Sequence, residues 1–260
     1  MRSDFNGIVG SQSIGISEGR HKMDSGLTRR GFLGSAGTAV AVGATGCALA
    51  AETDAAGQAR PVKIIGISCS PRKGKTTIAA LQACLEAAKA VDPRIEVEAV
   101  ELAGLRIDGA LAAGIPLEPG VKDDFPQVEA KLSDPKVTGV IIATPVYFGN
   151  MTYLCKAFLD RCFAFRKNNF ALSDKVGGVL AVGGVRNGGQ ELTIQSVQNT
   201  LLCQEMIIVG DSRPTAHTGA TLWNQNDNVS NDEFGLSTAR NLGRRVAQVA
   251  LKLSASTSTR

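Results

Sequence analysis

From Pro61 onward, five short apolar runs each lead into a stretch with helical spacing, and this alternation leaves few folds open. The runs are "VKIIGIS" (Val62–Ser68), Ile95–Val100, "VTGVIIAT" (Val137–Thr144), Val176–Gly183 and Met206–Asp211. Helical intervals recur in 75–91, 125–132, 151–163, 190–202 and 236–253. In the third of these, Met151, Leu154, Cys155, Phe158, Leu159, Cys162 and Phe163 predict one broad helix face. Ile95–Val100 alternates, while the other runs are apolar almost throughout, which predicts an α/β fold whose parallel sheet is covered on both faces. One doubly wound order for five strands, 2-1-3-4-5, puts a ligand outside the carboxyl ends of the strands, where the order reverses between strands one and three. The turns leaving those two strands are "SCSPRKGKTT" and "TPVYFGNMT", the least ordinary stretches of the chain.

The first turn has the chemistry of an anion cradle. Ser68, Ser70, Thr76 and Thr77 supply hydroxyl donors, Gly74 permits close backbone approach, and a helix starting near Lys75 aims free amides at the same spot. Arg72, Lys73 and Lys75 add positive charge, placed either toward the anion or toward solvent and a second anion. Gly74-Lys75-Thr76 ends like a nucleoside triphosphate loop, but Cys69 stands where that loop's first Gly belongs. Strand three also ends in Ala143-Thr144 rather than a magnesium-holding Asp, although Asp211 does follow an apolar run. No G-x-G-x-x-G follows any strand, which disfavours a dinucleotide fingerprint.

The second turn carries no charge. Pro145, Val146, Tyr147, Phe148, Gly149 and Asn150 offer a rigid bend, two aromatics and an amide, which suits the edge and face of a flat ring. A core role for Tyr147 and Phe148 at a strand end is the competing reading. The third turn, "GGVRNGGQE" from Gly183 through Gly184 to Glu191, is glycine-rich and would approach the ring's far side. One phosphate and one planar ring together describe flavin mononucleotide (FMN).

These turns also carry a resemblance. "SPRKGKTT", "TPVYFGNMT…KAFLDR" (Thr144–Arg161), "GGQE" (Gly188–Glu191) and "DEFGLSTARNLGRRVA" occur in the order found in the flavodoxin-like NAD(P)H-dependent FMN reductases. Within them the chain is similar to the iron–sulfur flavoprotein branch over Val62–Leu253. The resemblance implies a flavodoxin-like five-stranded sheet of order 2-1-3-4-5. It implies FMN held at its phosphate by Ser68, Ser70, Arg72, Lys73, Gly74, Lys75, Thr76 and Thr77. The ring would meet Pro145, Val146, Tyr147, Phe148, Gly149 and Asn150, with Gly183 and Gly184 beside it. Dimers or tetramers with sites near subunit contacts are implied as well. The departure lies in "LAGLRIDGALAAGIPLEPGVKDDF" (Leu102–Phe125), where that branch carries a compact four-cysteine motif and this chain has no cysteine. The expectation is therefore FMN without an iron–sulfur cluster, with the Ala/Gly-rich insert lining a substrate cleft or a subunit contact.

The implied activity is NAD(P)H-dependent reduction of free flavin, a quinone or another small acceptor by hydride transfer through FMN, with no general acid or base required of the protein. Two rivals stand beside it: a flavin electron carrier with no turnover of its own, and a non-catalytic FMN-binding protein. The first fifty residues bear on the first rival. Arg29-Arg30, Phe32-Leu33, an Ala/Gly/Val stretch from Ala36 to Ala50 and Ala48-Leu49-Ala50 resemble a twin-arginine export signal, too short to span a membrane. A tail with a chance Arg pair is the plain alternative. Export of a folded, cofactor-loaded enzyme through the twin-arginine machinery to the periplasm is the expectation, and NAD(P)H is scarce there. Ala44–Cys47 gives a weaker lipid-anchor reading at Cys47, and Met23 begins a more normal signal than Met1. Residues 1–60 thus read as signal and linker, 61–254 as one domain, and 255–260 as a tail.

Without residues 1–50, which carry five basic and three acidic side chains, the chain holds 23 basic and 21 acidic residues, a net charge of +2 that is too balanced for a nucleic-acid binder. The cysteines after Cys47, at 69, 84, 155, 162 and 203, form no C-x-x-C pair and read as buried small hydrophobes, with no metal site signalled. Cys155 and Cys162 lie on one helix face about 10 Å apart by rise, too far for a disulfide. His217 and Trp223 fall in a polar stretch, 212–232. His217 reads as a surface residue; Trp223 either anchors that stretch or covers a neighbouring subunit's flavin. "NLGRRVA" (Asn241–Ala247) reads as a solvated helix face.

Overall fold

The computed structural model describes residues 61–256. The expected export signal, its lipidation variant at Cys47, the alternative start at Met23 and residues 257–260 of the expected tail lie outside the described residues. The strands are β1 (Val62–Ser68), β2 (Ile95–Glu101), β3 (Val137–Pro145), β4 (Val176–Gly183), β5 (Ile207–Ile208) and β6 (Ala220–Trp223). The helices are α1 (Thr76–Lys89), α2 (Phe125–Leu132), α3 (Tyr153–Arg161), α4 (Phe163–Lys167), α5 (Gln190–Leu202) and α6 (Glu233–Ser256). All strand pairs are parallel, in the order β2-β1-β3-β4-β5, with β6 also pairing with β4.

The apolar strands bury both faces. Ile65, Ile67, Val140, Ile142 and Val179 pack under α2, α3, α4 and α5, whereas Val62, Ile64, Ile141 and Leu180 pack under α1 and α6. On the first face Phe125 meets Phe158 and Phe165 at 6.2 Å between ring centroids, each ring fully buried or nearly so. Burial of one such ring contributes about 2–3 kcal/mol.

Five expectations are corrected. The single helix over 151–163 is broken at Cys162, which caps α3 and starts α4. The chain turns there, so Phe165 enters the core beside Phe125 and Phe163 is left 46% exposed. The fifth strand is not one run over 206–211. The chain leaves the sheet at Gly210, which lies against the His217 carbonyl, makes a detour, and rejoins β4 as β6. The detour is organised by Asp211, fully buried, which accepts from the Thr215 hydroxyl and the His217 amide. The polar stretch 212–232 therefore contains a strand. His217 Nδ1 sits 3.3 Å from the same carboxylate with its side chain 44% exposed, in keeping with a surface histidine.

"NLGRRVA" is mostly seam rather than solvated face. Asn241, Leu242, Val246 and Ala247 are buried, and only Arg244 and Arg245 turn outward. Gly243 lies where α6 crosses α1, so close that an added Cβ would overlap the Cys84 carbonyl oxygen. Cys203 caps α5 in an exposed position, while Cys69, Cys84, Cys155 and Cys162 are buried as small hydrophobes. Burial, outweighing a backbone hydrogen bond from Gly243, pushes the Cys84 thiol up to about 12.

Candidate functional site

Three turns at the carboxyl ends of β1, β3 and β4 converge. In the first, Ser68, Ser70, Thr76 and Thr77 are all buried, with exposures of 0, 3, 3 and 1%. The Ser70 hydroxyl accepts from the Arg72 amide at 3.1 Å and donates to the Arg72 carbonyl at 3.2 Å, curling the loop back on itself. Gly74 takes a left-handed φ of 66°, with nothing within 4 Å of the position a side chain would occupy. Lys75 is the N-cap of α1 and makes no side-chain cap, which leaves the helix's leading amides available to an anion. Ser68 Oγ is buried and has no hydrogen-bond partner.

Two of the three cations of this turn are engaged elsewhere. Arg72 Nη1 bonds Asp227 at 2.6 Å and Lys75 Nζ reaches the other oxygen of the same carboxylate at 3.3 Å. The Arg72 hydrogen bond, then that of Lys75, holds the Asp227 carboxyl below the usual carboxylate range. The Gly74 amide donates to Glu101 Oε1 at 2.7 Å. Lys73 is exposed at the loop tip. The polar groups thus divide into an inner cup of hydroxyls and helix amides and an outer rim of paired charges.

In the second turn, Tyr147 and Asn150 exchange backbone bonds at 2.8 and 3.1 Å around Phe148 and Gly149, whose φ values are 51° and 73°. Two positive φ values at the central positions make a type I′ turn. Phe148 is fully exposed and Tyr147 is 43% exposed, so the core reading of this pair is wrong. Pro145 and Val146 lie half-buried beneath them, and the Val146 amide ties the turn to the Val182 carbonyl at 2.9 Å. The Asn150 side chain accepts from the Met151 amide at 2.8 Å.

The third turn is built on a residue singled out only as part of "GGQE". Gln190, fully buried, accepts from the Gly188 amide at 2.8 Å and donates to the carbonyls of Val185 (2.8 Å) and Leu222 (3.2 Å). Gly183 lies against this amide, and Gly184 is exposed and accepts from the Trp223 indole at 3.1 Å. Trp223 therefore anchors its own segment. Gly189 (φ 94°) approaches Gly149 so closely that an added Cβ would stand 2.9 Å from the Gly149 Cα, which brings the second and third turns into contact. The insert 102–124 borders the phosphate-turn side, lining with Pro71, Tyr153 and Leu154 a cleft of about 510 Å³. It is held by Arg161, which forks onto Asp123 at 2.9 and 2.6 Å over the Phe125 ring.

Sequence reasoning had no local signal for the contacts that Asp227 and Glu101 make with the phosphate turn. The Asn226-Asp227 pair did carry a turn signal, since Asn and Asp tolerate the left-handed φ values of 52° and 61° found there. Among the described residues, no group of three or more His, Cys, Asp or Glu side chains is placed to hold a metal ion.

Comparison with known proteins points in one direction. The profile of the NADPH-dependent FMN reductase family matches residues 62–221. An iron–sulfur flavoprotein of Methanocaldococcus jannaschii is 40% identical over 193 residues, covering 72% of this chain and 97% of that protein. An iron–sulfur flavoprotein of Methanosarcina thermophila is 36% identical over 191 residues, covering 72% and 95%. In three dimensions, a WrbA-like flavodoxin from Agrobacterium tumefaciens superposes with a TM-score of 0.52 at 19% identity, covering 74% of this chain and 98% of that one.

Proposed function

This chain belongs to the NADPH-dependent FMN reductase family, and from that premise we propose that it takes electrons from NAD(P)H and delivers them, through FMN held by its three turns, to free flavin, a quinone or another small acceptor. The residues present fit the cofactor. The observation that carries the reading is the buried, unpartnered Ser68 hydroxyl at the end of β1, the strand whose turn leads into the uncapped start of α1. A buried donor without a partner is costly, and a phosphate oxygen would relieve it.

When bound, FMN supplies the two-electron chemistry itself. The protein's part is to bind and orient. Ser68, Ser70, Thr76 and Thr77 would hold the phosphate with the leading amides of α1, inside a cup that excludes water. Gly149 and Gly189, by their close approach, keep the second and third turns at a fixed spacing. Tyr147 and Phe148, exposed on the ring turn, offer apolar surface to a planar group.

The curated relatives are named iron–sulfur flavoproteins, yet Leu102–Phe125 contains no cysteine here. We propose FMN as the sole redox group. Anaerobic titration of the purified protein with NADPH and NADH, followed by turnover with added quinone or FMN, tests the whole reading. Bleaching of the flavin bands by either nucleotide supports it. A flavin that neither nucleotide reduces leaves the electron-carrier alternative, and an iron–sulfur absorption shoulder would overturn the FMN-only assignment.

A further inference from the structure

The segment that follows β6 is tied at both ends to the turns described above. At one end the Asn224 amide donates to the Gly183 carbonyl at 2.8 Å and the Trp223 indole to the Gly184 carbonyl at 3.1 Å, joining it to the third turn. At the other, Asp227 pairs with Arg72 and Lys75 of the phosphate turn, 155 and 152 residues away in the chain. Residues 225–228 form a second turn of the same type as the ring turn, with backbone bonds of 2.8 and 3.0 Å between Gln225 and Asn228. The layering explains the reach. β6 lies beside β4, α6 and α1 share one face, and the connection from β6 to α6 passes the start of α1.

The first tie is made by the backbone of Asn224, whose side-chain Oδ1 is buried and has no hydrogen-bond partner. An unpartnered buried acceptor calls for a donor, and of the groups in a flavin mononucleotide that would lie between its phosphate and its ring, the hydroxyls of the polyol chain supply one. Asp227, by contrast, contacts only the outer rim of the phosphate turn. Arg72 and Lys75 are 45 and 46% exposed there, while the inner hydroxyls of Ser68, Ser70, Thr76 and Thr77 stay buried. The carboxylate thus closes the rim without occupying the cup.

We propose that Trp223–Asn228 forms a fourth side of the FMN site, with Asn224 accepting from a hydroxyl of the polyol chain and Asp227 latching the segment across Arg72 and Lys75. This rests on the FMN reading above. It reassigns Arg72 and Lys75 from phosphate ligands to anchors of the latch.

The test uses FMN-loaded wild-type protein, Asp227→Asn and Asn224→Ala, each diluted so that released flavin regains its fluorescence. Asp227→Asn should release FMN about tenfold faster, and added salt should speed wild-type release toward the mutant rate while leaving the mutant little changed. Asn224→Ala should weaken FMN by about tenfold with the thermal midpoint of the apoprotein unchanged or raised. Because the Asp227 pairs are exposed, the variant is expected to fold, and equal apoprotein midpoints check this. Hydrogen exchange at the 225–228 amides should rise in Asp227→Asn even without flavin. Release from Asp227→Asn at the wild-type rate, or slower because the carboxylate competes with phosphate for the two cations, overturns the latch. An Asn224→Ala protein with wild-type affinity overturns the polyol contact. A wild-type chain that binds no FMN removes the underlying reading instead.

Discussion

The Thr152 hydroxyl donates to the Cys69 carbonyl at 2.8 Å and accepts from the Cys155 amide at 3.2 Å, so one buried side chain both caps α3 and ties it to the phosphate turn. Thr152→Val keeps the shape and removes both bonds, stranding a carbonyl and an amide away from water. The expected cost is about 2–3 kcal/mol, read as a lower denaturant midpoint at constant slope. Thr152→Ser should recover most of it.

Ser68 predicts opposite signs in two measurements. Ser68→Ala removes a buried hydroxyl that has no partner in the protein, so the apoprotein should be no less stable and up to about 1–2 kcal/mol more so. FMN affinity should fall by roughly ten- to a hundredfold, the worth of a hydrogen bond to a charged group. Equal affinity in the two proteins would remove Ser68 from the site.

At the crossing of α1 and α6 there is no room for a methyl group on Gly243, because the obstacle is the Cys84 backbone carbonyl rather than a movable side chain. Gly243→Ala should destabilise the fold by about 3 kcal/mol despite its better helix propensity. Gly74→Ala meets no atom, and its cost should be confined to the left-handed φ of 66°. The difference between the two midpoints separates packing from backbone strain.

The insert gives a pH dependence. Hydrogen bonding from Arg161 is the main influence that holds Asp123 below the usual carboxylate range, and the pair is largely buried, with side chains 12 and 18% exposed. A depressed carboxyl pKa stabilises the fold above the unfolded value of about 3.9, and the contribution is lost as pH falls through the lower folded value. Asp123→Asn should therefore cost about 2 kcal/mol near neutral pH and converge with wild type in strong acid. Parallel acid unfolding curves would show that the pair contributes nothing.

Much of this architecture is legible in the chain itself. β1, β3 and β4 are buried on both faces and so read as apolar runs, and their exits stand out because Ser, Gly and Pro cluster there. The failures share a cause. Nothing local tells that Phe165 rather than Phe163 finds Phe125, or that Gly210 must yield to the His217 carbonyl and divert the fifth strand. Glu101 and Asp227 escaped for the same reason: their partners, Gly74 and Arg72, lie 27 and 155 residues away. A residue's neighbours in space decide such roles, and sequence patterns report only its neighbours along the chain.

The divided outer strand also bears on how the molecule behaves in a crowd. A free sheet margin is a template on which a stranger's extended chain can add by backbone pairing. Here that margin is cut into runs of two and four residues by the Asp211 detour, too short to hold a guest. The opposite margin, β2, is continuous over seven residues but carries Glu96, Glu98 and Glu101, of which Glu98 pairs with Lys63 and Lys131 and Glu101 accepts from the Gly74 amide, so charged side chains line that border. Broken strands on one rim and charged side chains along the other thus blunt both edges against backbone pairing.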